Sequence, residues 1–263
     1  MRIGTLLFSA MGKEVLSTYQ SEPRRYLAVV TLPILNQSRM YQVRPSKILA
    51  LGLNYRSHIA ESHSVKVQGF TGEVPEEPVV FPKTPNVLIG PDQPIVIPGF
   101  LKDYGFDDPR TDYEAELAII VKDTYKDVPA AEAMRHILGF TCMNDVSQRN
   151  LQTGDRSGWF RGKSLDTFGP IGPRVVLTED IGDPQNLDLR CRLNGNLVQE
   201  SNTRHMIFKV PEIIAFLSRN FTLCPGDIIA TGTPSGVGRI KHGDVVEVEI
   251  ERIGVLRNPV AEE

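Results

Sequence analysis

The sequence predicts a β-rich α+β fold, and three observations support this class. The 22 glycines and 19 prolines are spread through all 263 residues, which indicates short elements and many turns rather than a helical bundle. Residues 188–193 and 245–250 alternate apolar and polar side chains in the manner of half-buried strands. The best amphipathic helix covers residues 210–219, with Pro211 in its first turn.

The other elements are predicted from shorter apolar stretches, taken in chain order. Residues 1–43 hold several such stretches and are expected to form a small N-terminal subdomain, which begins with a strand and turn rather than a signal peptide. The segments predicted after it are a buried strand at 47–53, a short helix at 56–63, a polar loop at 64–78, strands at 79–81 and 95–97, a helix at 130–138 and a strand at 139–143.

Composition argues against several classes of protein. With 41% hydrophobic and 23% charged residues, the chain has the make-up of a soluble globular protein with a core. A formal net charge of -3 without a Lys/Arg cluster argues against a nucleic-acid partner, and no apolar run reaches membrane-spanning length. The three cysteines are widely spaced, without a Cys-x-x-Cys pair, which predicts free thiols and a cytoplasmic location.

Glu114 and Glu116 interrupt residues 111–121, a segment whose apolar second half predicts a core strand. On a strand, side chains two apart point the same way, so Glu114 and Glu116 would share one face. Two like charges this close are costly unless a cation lies between them, and a hard divalent cation with oxygen ligands meets that need. The alternative is an edge strand with both side chains in water.

Asp145 and Lys163 are further candidates for the same site. Asp145 follows a strand-like run and could supply a third oxygen ligand, with a turn residue or helix N-cap as the alternative. Three carboxylates without Cys or His favour Mg²⁺ or Mn²⁺ over zinc. Lys163 lies among small and apolar residues, with no helix predicted around it. It is either a solvated lysine or a cation that holds negative charge developing on a substrate.

Two more motifs suggest chemistry and have simpler alternatives. His58 and Glu61 are three apart, so a helix at 56–63 would place them on one face. A histidine oriented by a carboxylate is a general-base arrangement, and a surface ion pair is the alternative. Residues 231–238 form a glycine-rich turn that is neither a phosphate loop nor a dinucleotide fingerprint. Its N–H groups could bind a carboxylate, or the turn could simply connect two strands.

Taken together and in chain order, these motifs resemble the fumarylacetoacetate hydrolase family. The resemblance spans residues 47–250 and rests on five blocks. They are GLNY at 52–55 with His58 and Glu61, DYEAEL at 112–117, NDVSQRNLQ at 144–152, GKSLDTFGP at 162–170 and PGDIIATGTPSGVG at 225–238.

The resemblance implies a fold and a set of site residues. The fold is a mixed β-roll with short helices, commonly dimeric, and the catalytic domain would cover residues 44–263. Mg²⁺ or Mn²⁺ would be held by Glu114, Glu116 and Asp145. Catalysis would fall to His58, Glu61 and Lys163, with His58 and Glu61 on a lid segment that orders when ligand binds. Contacts to a small carboxylate substrate would come from Arg149, Gln152, Thr233, Gly232 and Tyr55.

The resemblance also implies a class of chemistry, in which the metal chelates a small 2-oxo or 2,4-dioxo acid and stabilises its enolate. With activated water the outcome is hydrolysis of an acylpyruvate C–C bond, and without it decarboxylation of an oxaloacetate-type acid. One alternative is isomerisation of 2-hydroxyhepta-2,4-diene-1,7-dioate in aromatic-acid degradation. Another is a non-catalytic metal- or ligand-binding member. The presence of both His58 and Glu61 favours C–C bond cleavage over isomerisation.

Overall fold

The structure is a computed structural model that describes residues 29–61, 73–154 and 159–263. The strand and turn predicted at the start of the chain, and most of the predicted polar loop, lie outside the described residues. So does most of the predicted N-terminal subdomain. Its boundary near residue 43 stays a prediction.

Within the described residues the chain is built mainly of short strands, as predicted. The strands are β1 (Thr31–Pro33), β2 (Met40–Gln42), β3 (Ile48–Gly52), β4 (Val79–Lys83), β5 (Leu88–Ile89), β6 (Ile95–Ile97), β7 (Thr111–Tyr113), β8 (Ala115–Val121), β9 (Ile137–Asn144), β10 (Ser147–Gln148), β11 (Gly169–Leu177), β12 (Asp188–Leu193), β13 (Asn196–Asn202), β14 (Ile228–Ala230), β15 (Gly238–Arg239), β16 (Val245–Ile250) and β17 (Gly254–Glu262).

Helices are few and short in the same part of the chain. The α-helices are α1 (Arg56–Glu61), α2 (Arg149–Gly154), α3 (Phe160–Lys163) and α4 (Val210–Asn220), and 3-10 helices cover Pro85–Val87, Gly99–Tyr104, Ala130–His136 and Thr203–His205. The β-rich α+β class is therefore confirmed. No helix in the described ranges is long and apolar enough to cross a membrane.

Two mixed sheets form the body of the molecule. Seven strands pair in the order β4-β3-β14-β8-β9-β11-β5, and five in the order β13-β12-β16-β17-β6. The central strand β8 is buried along its whole length. Leu117 and Ile119 pack in one apolar cluster with residues of β12, β16 and α4, while Ala118 and Ile120 pack in a second cluster with β3 and β14. A strand that is covered on both faces reads as a continuous apolar run.

The predicted single strand at 111–121 is in fact two strands that separate at Glu114. Before this residue, β7 pairs with β10 and β15 in a small three-stranded sheet, and after it β8 pairs with β9 and β14. The backbone N–H of Glu114 leaves the ladder and donates to Asn144 Oδ1 at 2.9 Å. This change of partners turns the backbone at the first carboxylate of the predicted metal site.

Two further predictions differ from the structure. The helix expected at 130–138 is a 3-10 helix that ends at His136, because the next residue already pairs with Val121 as the start of β9. Lys163 was expected outside any helix, yet it is the last residue of the single-turn helix α3. The apolar spacing of so short a helix gives no sequence signal.

Candidate metal centre and catalytic cavity

Three carboxylates meet where β8 and β9 run side by side. Glu114 lies between β7 and β8, Glu116 is the second residue of β8, and Asp145 follows the last residue of β9. One oxygen atom from each lies within 4.8 Å of the others, and all three side chains are buried. A backbone hydrogen bond of 2.9 Å from Asp145 N to Glu114 O fixes the two strand ends to each other. The predicted ligand set is thus assembled by antiparallel pairing.

The carboxylates of this cluster lie in different electrostatic environments, which shift the pKa values of Glu114 and Glu116 in opposite directions. Burial, together with Asp145 and Glu114, raises the pKa of Glu116 well above its ordinary value. Burial alone would also raise the pKa of Glu114, but Lys163 and Arg149 outweigh it and hold that pKa low. Glu116 therefore binds its proton more tightly than an ordinary glutamate does, and positive charge near it would oppose that effect.

The cluster offers a place for a divalent cation. Glu116 Oε2 accepts a 2.7 Å hydrogen bond from Gly232 N, whereas its Oε1 is buried and has no hydrogen-bond partner in the part of the chain that the structure describes. A buried carboxylate oxygen without a partner is costly, and a cation would satisfy it. Because the donors are carboxylate oxygens, the site fits Mg²⁺ or Mn²⁺.

Lys163 is the cation that touches two of the three carboxylates. Its Nζ lies 2.7 Å from Glu114 Oε2 and 2.6 Å from Asp145 Oδ2. Burial would lower the pKa of Lys163, but Asp145 and Glu114 outweigh it and raise the pKa above its ordinary value. The ammonium group is therefore a permanent positive charge beside the carboxylates.

Lys83 is a second buried lysine, for which the sequence predicts no role. Its Nζ lies 2.5 Å from Asp145 Oδ1, and it donates to the backbone carbonyl of Lys163. Burial lowers the pKa of Lys83, against the opposing effect of Asp145. The strand pattern could have indicated that Lys83 is buried, because it is two residues from Phe81 and lies on the same buried face of the strand.

Arg149 is held by three partners around the same site. Its Nη2 lies 2.6 Å from Glu114 Oε1, and its Nε lies 2.8 Å from Asp112 Oδ2. Its Nη1 donates to Gln152 Oε1 at 2.9 Å. Asp112, to which no role had been assigned, also accepts from Arg110 Nε at 2.9 Å. Arg149 is thus a preoriented cation in the wall of the site.

A small cavity opens beside the carboxylates, and most of the predicted site residues meet there. Phe81 and Trp159 pack edge to face, with ring centroids 5.3 Å apart, and Lys163 Nζ lies 4.9 Å from the centre of the Phe81 ring. These rings make one wall apolar. The residues that line the cavity are Leu51, Gly52, Leu53, His58, Phe81, Glu114, Arg149, Gln152, Trp159, Lys163 and Thr233.

His58 lies in this wall in a form suited to accept a proton. Burial is the main reason that its pKa is lowered from 6.5, with Arg149 and Lys163 acting in the same direction and Glu114 and Glu61 opposing them. Its Nδ1 is buried and has no hydrogen-bond partner among the described residues. The imidazole is therefore neutral at pH 7.

Glu61 does not pair with His58 in this structure, although both lie on α1 as predicted. The Glu61 carboxylate instead accepts a 2.8 Å hydrogen bond from Gly236 N in the glycine-rich turn. Ser57 Oγ accepts from Ser235 N at 3.4 Å. These contacts dock α1 on the turn, so the orienting role of Glu61 toward His58 stays a prediction.

Two predicted substrate contacts lie outside the cavity wall. Tyr55 is fully buried, and burial together with the charge of Glu116 raises its pKa. The backbone N–H of Gly232 donates to Glu116 and is not free for a ligand. Gly232 has a φ of +93°, and a Cβ there would lie 2.8 Å from the Cβ of Asn54. A glycine is therefore needed to bring this N–H to the carboxylate.

The chain is similar to several known proteins. Residues 47–261 match the model of the fumarylacetoacetate (FAA) hydrolase C-terminal family. The chain is 40% identical over 266 residues to the mitochondrial oxaloacetate tautomerase FAHD2B of Bos taurus, a match that covers 96% of this chain and 78% of that one.

Solved structures of similar fold include two enzymes. One is 5-carboxymethyl-2-hydroxymuconate delta-isomerase from Mycobacterium smegmatis, with a TM-score of 0.73 and 38% identity over 86% of each chain. The other is fumarylpyruvate hydrolase from Pseudomonas aeruginosa in complex with Mn²⁺ and pyruvate, with a TM-score of 0.77 and 28% identity, covering 90% of this chain and 97% of that one. These likenesses confirm the fold type and the resemblance predicted from the sequence.

Proposed function

Because the chain belongs to the fumarylacetoacetate hydrolase family, we propose that it is a Mg²⁺- or Mn²⁺-dependent enzyme that forms the enolate of a small 2-oxo acid. The observation that carries the proposal is the buried triad of Glu114, Glu116 and Asp145, in which one Glu116 oxygen has no hydrogen-bond partner among the described residues. A divalent cation bound there would supply Lewis-acid stabilisation of negative charge on a substrate oxygen.

The chain's own cations would share that task. Lys163 faces the cavity with a fixed positive charge and can donate a hydrogen bond toward an oxygen that becomes negative. Arg149 is held rigid by Asp112 and Glu114, so it can orient a substrate carboxylate at little conformational cost. The apolar wall made by Phe81 and Trp159 would exclude water and strengthen both interactions.

His58 is the proposed proton acceptor of the cavity. In the leading candidate reaction it takes a proton from water, the water oxygen bonds to the acyl carbon of a 2,4-dioxo acid, and the C–C bond breaks with its electron pair moving into the enolate. The enolate carbon then takes up a proton, which gives a 2-oxo acid and a carboxylic acid. With oxaloacetate the same enolate would form by loss of CO₂.

A second candidate is proton transfer without cleavage, as in a tautomerase or isomerase. The contact of Glu61 with Gly236 rather than with His58 favours it, because His58 then lacks the carboxylate that would orient it for activation of water. His58 would take a proton from the carbon next to the keto group, and that proton or another would return to oxygen or to a more distant carbon. Similarity to the oxaloacetate tautomerase of Bos taurus agrees with this candidate.

A substrate panel with Mg²⁺ and Mn²⁺ tests the proposal. Oxaloacetate, acetylpyruvate, fumarylpyruvate and a 2-hydroxy-dienedioate would each be incubated with the protein, and the products followed by NMR in H₂O and in D₂O. Cleaved products identify a hydrolase or decarboxylase, and metal-dependent deuterium uptake without cleavage identifies a tautomerase or isomerase. Binding of metal without turnover or exchange on any of the four would leave a non-catalytic member and contradict the proposed function.

We further propose a cytoplasmic homodimer, as commonly formed in this family. The free thiols of Cys142, Cys191 and Cys224 suit a reducing compartment. Light scattering coupled to size exclusion would test the dimer, which a monomeric mass would contradict.

A further inference from the structure

Gln199 links the metal-binding strand to the glycine-rich turn. It lies on β13 and is 2% exposed. Its Oε1 accepts a 3.1 Å hydrogen bond from Ala115 N, between two of the carboxylates. Its Nε2 donates to Thr233 Oγ1 at 2.9 Å and to Pro234 O at 3.0 Å. No role was assigned to this residue from the sequence.

The partners of Gln199 determine which end of its amide faces which group. The backbone N–H of Ala115 can only donate, so the amide oxygen must face it. The carbonyl of Pro234 can only accept, so the amide nitrogen must lie on that side. The two hydrogens of the amide nitrogen then point to its two nearest acceptors, the Thr233 hydroxyl and Pro234 O, because Ser235 O is farther away at 3.4 Å. The reversed orientation would place acceptor against acceptor and donor against donor.

This orientation determines the direction of the Thr233 hydroxyl hydrogen. A hydroxyl has one hydrogen to donate, and an oxygen that accepts from Gln199 must direct its hydrogen elsewhere. Within residues 29–61, 73–154 and 159–263, no acceptor takes that hydrogen. Thr233 is buried and lines the cavity together with Arg149 and Lys163, so the hydroxyl is left to donate to a ligand there.

We infer that Gln199 is a positioning residue that makes the Thr233 hydroxyl an obligate donor to a substrate carboxylate. The inference rests on the proposed function, since it requires an anionic ligand in the cavity. It adds a basis for specificity, because a hydroxyl held as a donor binds a charged carboxylate oxygen more strongly than the neutral oxygen of an ester or amide at the same place.

A double-mutant cycle with pyruvate as the probe tests this role. Calorimetry would measure pyruvate affinity in the presence of Mn²⁺ for wild type, Gln199→Met, Thr233→Val and the double variant. Each single substitution should weaken pyruvate binding about tenfold or more, the effect of losing a hydrogen bond to a charged group. In the Thr233→Val background, Gln199→Met should add no more than about twofold, because both act through one hydroxyl.

Mn²⁺ affinity separates positioning from a merely structural effect. Gln199→Met removes the partner of Ala115 N, so Mn²⁺ binding is measured for each variant and should stay within about twofold of wild type. Gln185→Met is the matched control, because Gln185 also bridges backbone groups with its amide, namely Thr203 O and Val210 N, but does not line the cavity. It should leave pyruvate affinity unchanged.

Gln199→Glu keeps the acceptor for Ala115 and replaces the donor to Thr233, so it tests the same step if Gln199→Met does not fold. It should also weaken pyruvate binding, and less so in the Thr233→Val background. Additive losses in the cycle, a parallel loss of Mn²⁺ affinity, or unchanged pyruvate binding would each overturn the inference. If the wild type binds Mn²⁺ but no pyruvate, the proposed function itself fails.

Discussion

Glu116 is the residue at which the site is electrostatically incomplete. The cluster holds Glu114, Glu116 and Asp145, while Lys163 contacts only the first and the last of these within bonding distance. Among the residues that the structure describes, the Glu116 carboxyl accepts a hydrogen bond from the Gly232 N–H alone, and burial with its two acidic neighbours raises its pKa. A group in this position is tolerated when neutral and becomes a strong ligand when a divalent cation arrives.

Replacing Glu116 with glutamine tests this assignment with little change of shape. Glu116→Gln keeps an acceptor for Gly232 but removes the charge that a cation needs. Loss of an outer-shell partner lowers metal affinity about 10–100-fold, and we expect Glu116→Gln to lower Mn²⁺ affinity in calorimetry by more than that. Stability in the absence of metal should be unchanged. Glu200→Gln, on the exposed side of β13, is the control. Equal Mn²⁺ affinity for Glu116→Gln and wild type would contradict the metal assignment.

The pH dependence of turnover should reflect the protonation of His58. A general base acts in its deprotonated form, and the pKa of His58 is lowered below 6.5 mainly by burial. We therefore expect kcat/KM to be level above that pH and to fall as pH drops through the lowered pKa. His58→Asn should lose this limb and about 10²–10⁴-fold of the rate. His205 is exposed, so the control variant His205→Asn should keep both the fall at low pH and the wild-type rate. If His58→Asn has the same pH profile as wild type, His58 is not the general base.

At the scale of elements, the position of Lys163 depends on how α3 packs on α2. A Cβ at Gly162 would lie 2.6 Å from Gln152 N and 2.7 Å from Gln148 O, and both are backbone atoms that cannot turn aside. The two short helices are thus in backbone contact next to the lysine. The sequence showed the lysine and the glycine but gave no sign of α3, since a single turn is stabilised by this contact rather than by its own propensity.

Gly162→Ala should therefore damage both stability and the site. We expect a loss of about 1–3 kcal/mol in urea unfolding, as for overpacking, and lower turnover because Lys163 moves with α3. Gly154→Ala is the matched control, since a Cβ there would have no atom of the described residues within 4 Å, and its effect should stay within about 0.5 kcal/mol. Similar unfolding midpoints and turnover for both variants would show that the helices do not hold Lys163 in place.

At the scale of the whole molecule, residues that stand out from their sequence neighbours could be predicted, whereas residues whose role depends on contacts far along the chain could not. Glu114 and Glu116 were identifiable because they interrupt an apolar run. Lys83 and Gln199 were not assigned, because their partners are Asp145, 62 residues away, and Thr233, 34 residues away. Those contacts exist only once β4, β8 and β9 are ordered within one sheet and β13 lies in the other. Local spacing predicts strands and charges, and sheet order decides which charges meet.

The same long-range assembly predicts that metal stabilises the whole fold. A cation at Glu114, Glu116 and Asp145 would tie β8 to the end of β9 and, through Lys83 and Lys163, to β4 and α3. An unfolded chain keeps these groups apart and binds metal weakly, so binding shifts the folding equilibrium. At a Mn²⁺ concentration about 100 times Kd, the free energy of unfolding should rise by about 2.7 kcal/mol. For a chain of this size that corresponds to a rise of about 5–10 °C in Tm.

Thermal unfolding with graded Mn²⁺ measures this gain, and excess chelator should reverse it. Glu116→Gln serves as the internal reference, because it should unfold at the chelated wild-type temperature whether or not Mn²⁺ is present. A rise in Tm that is equal in both proteins would place the stabilising ion elsewhere. A wild-type rise that Glu116→Gln abolishes would link the charge of one buried carboxyl group to the stability of the seven-stranded sheet, because the proposed metal ligands lie on β8 and at the ends of β8 and β9, which are neighbours in that sheet.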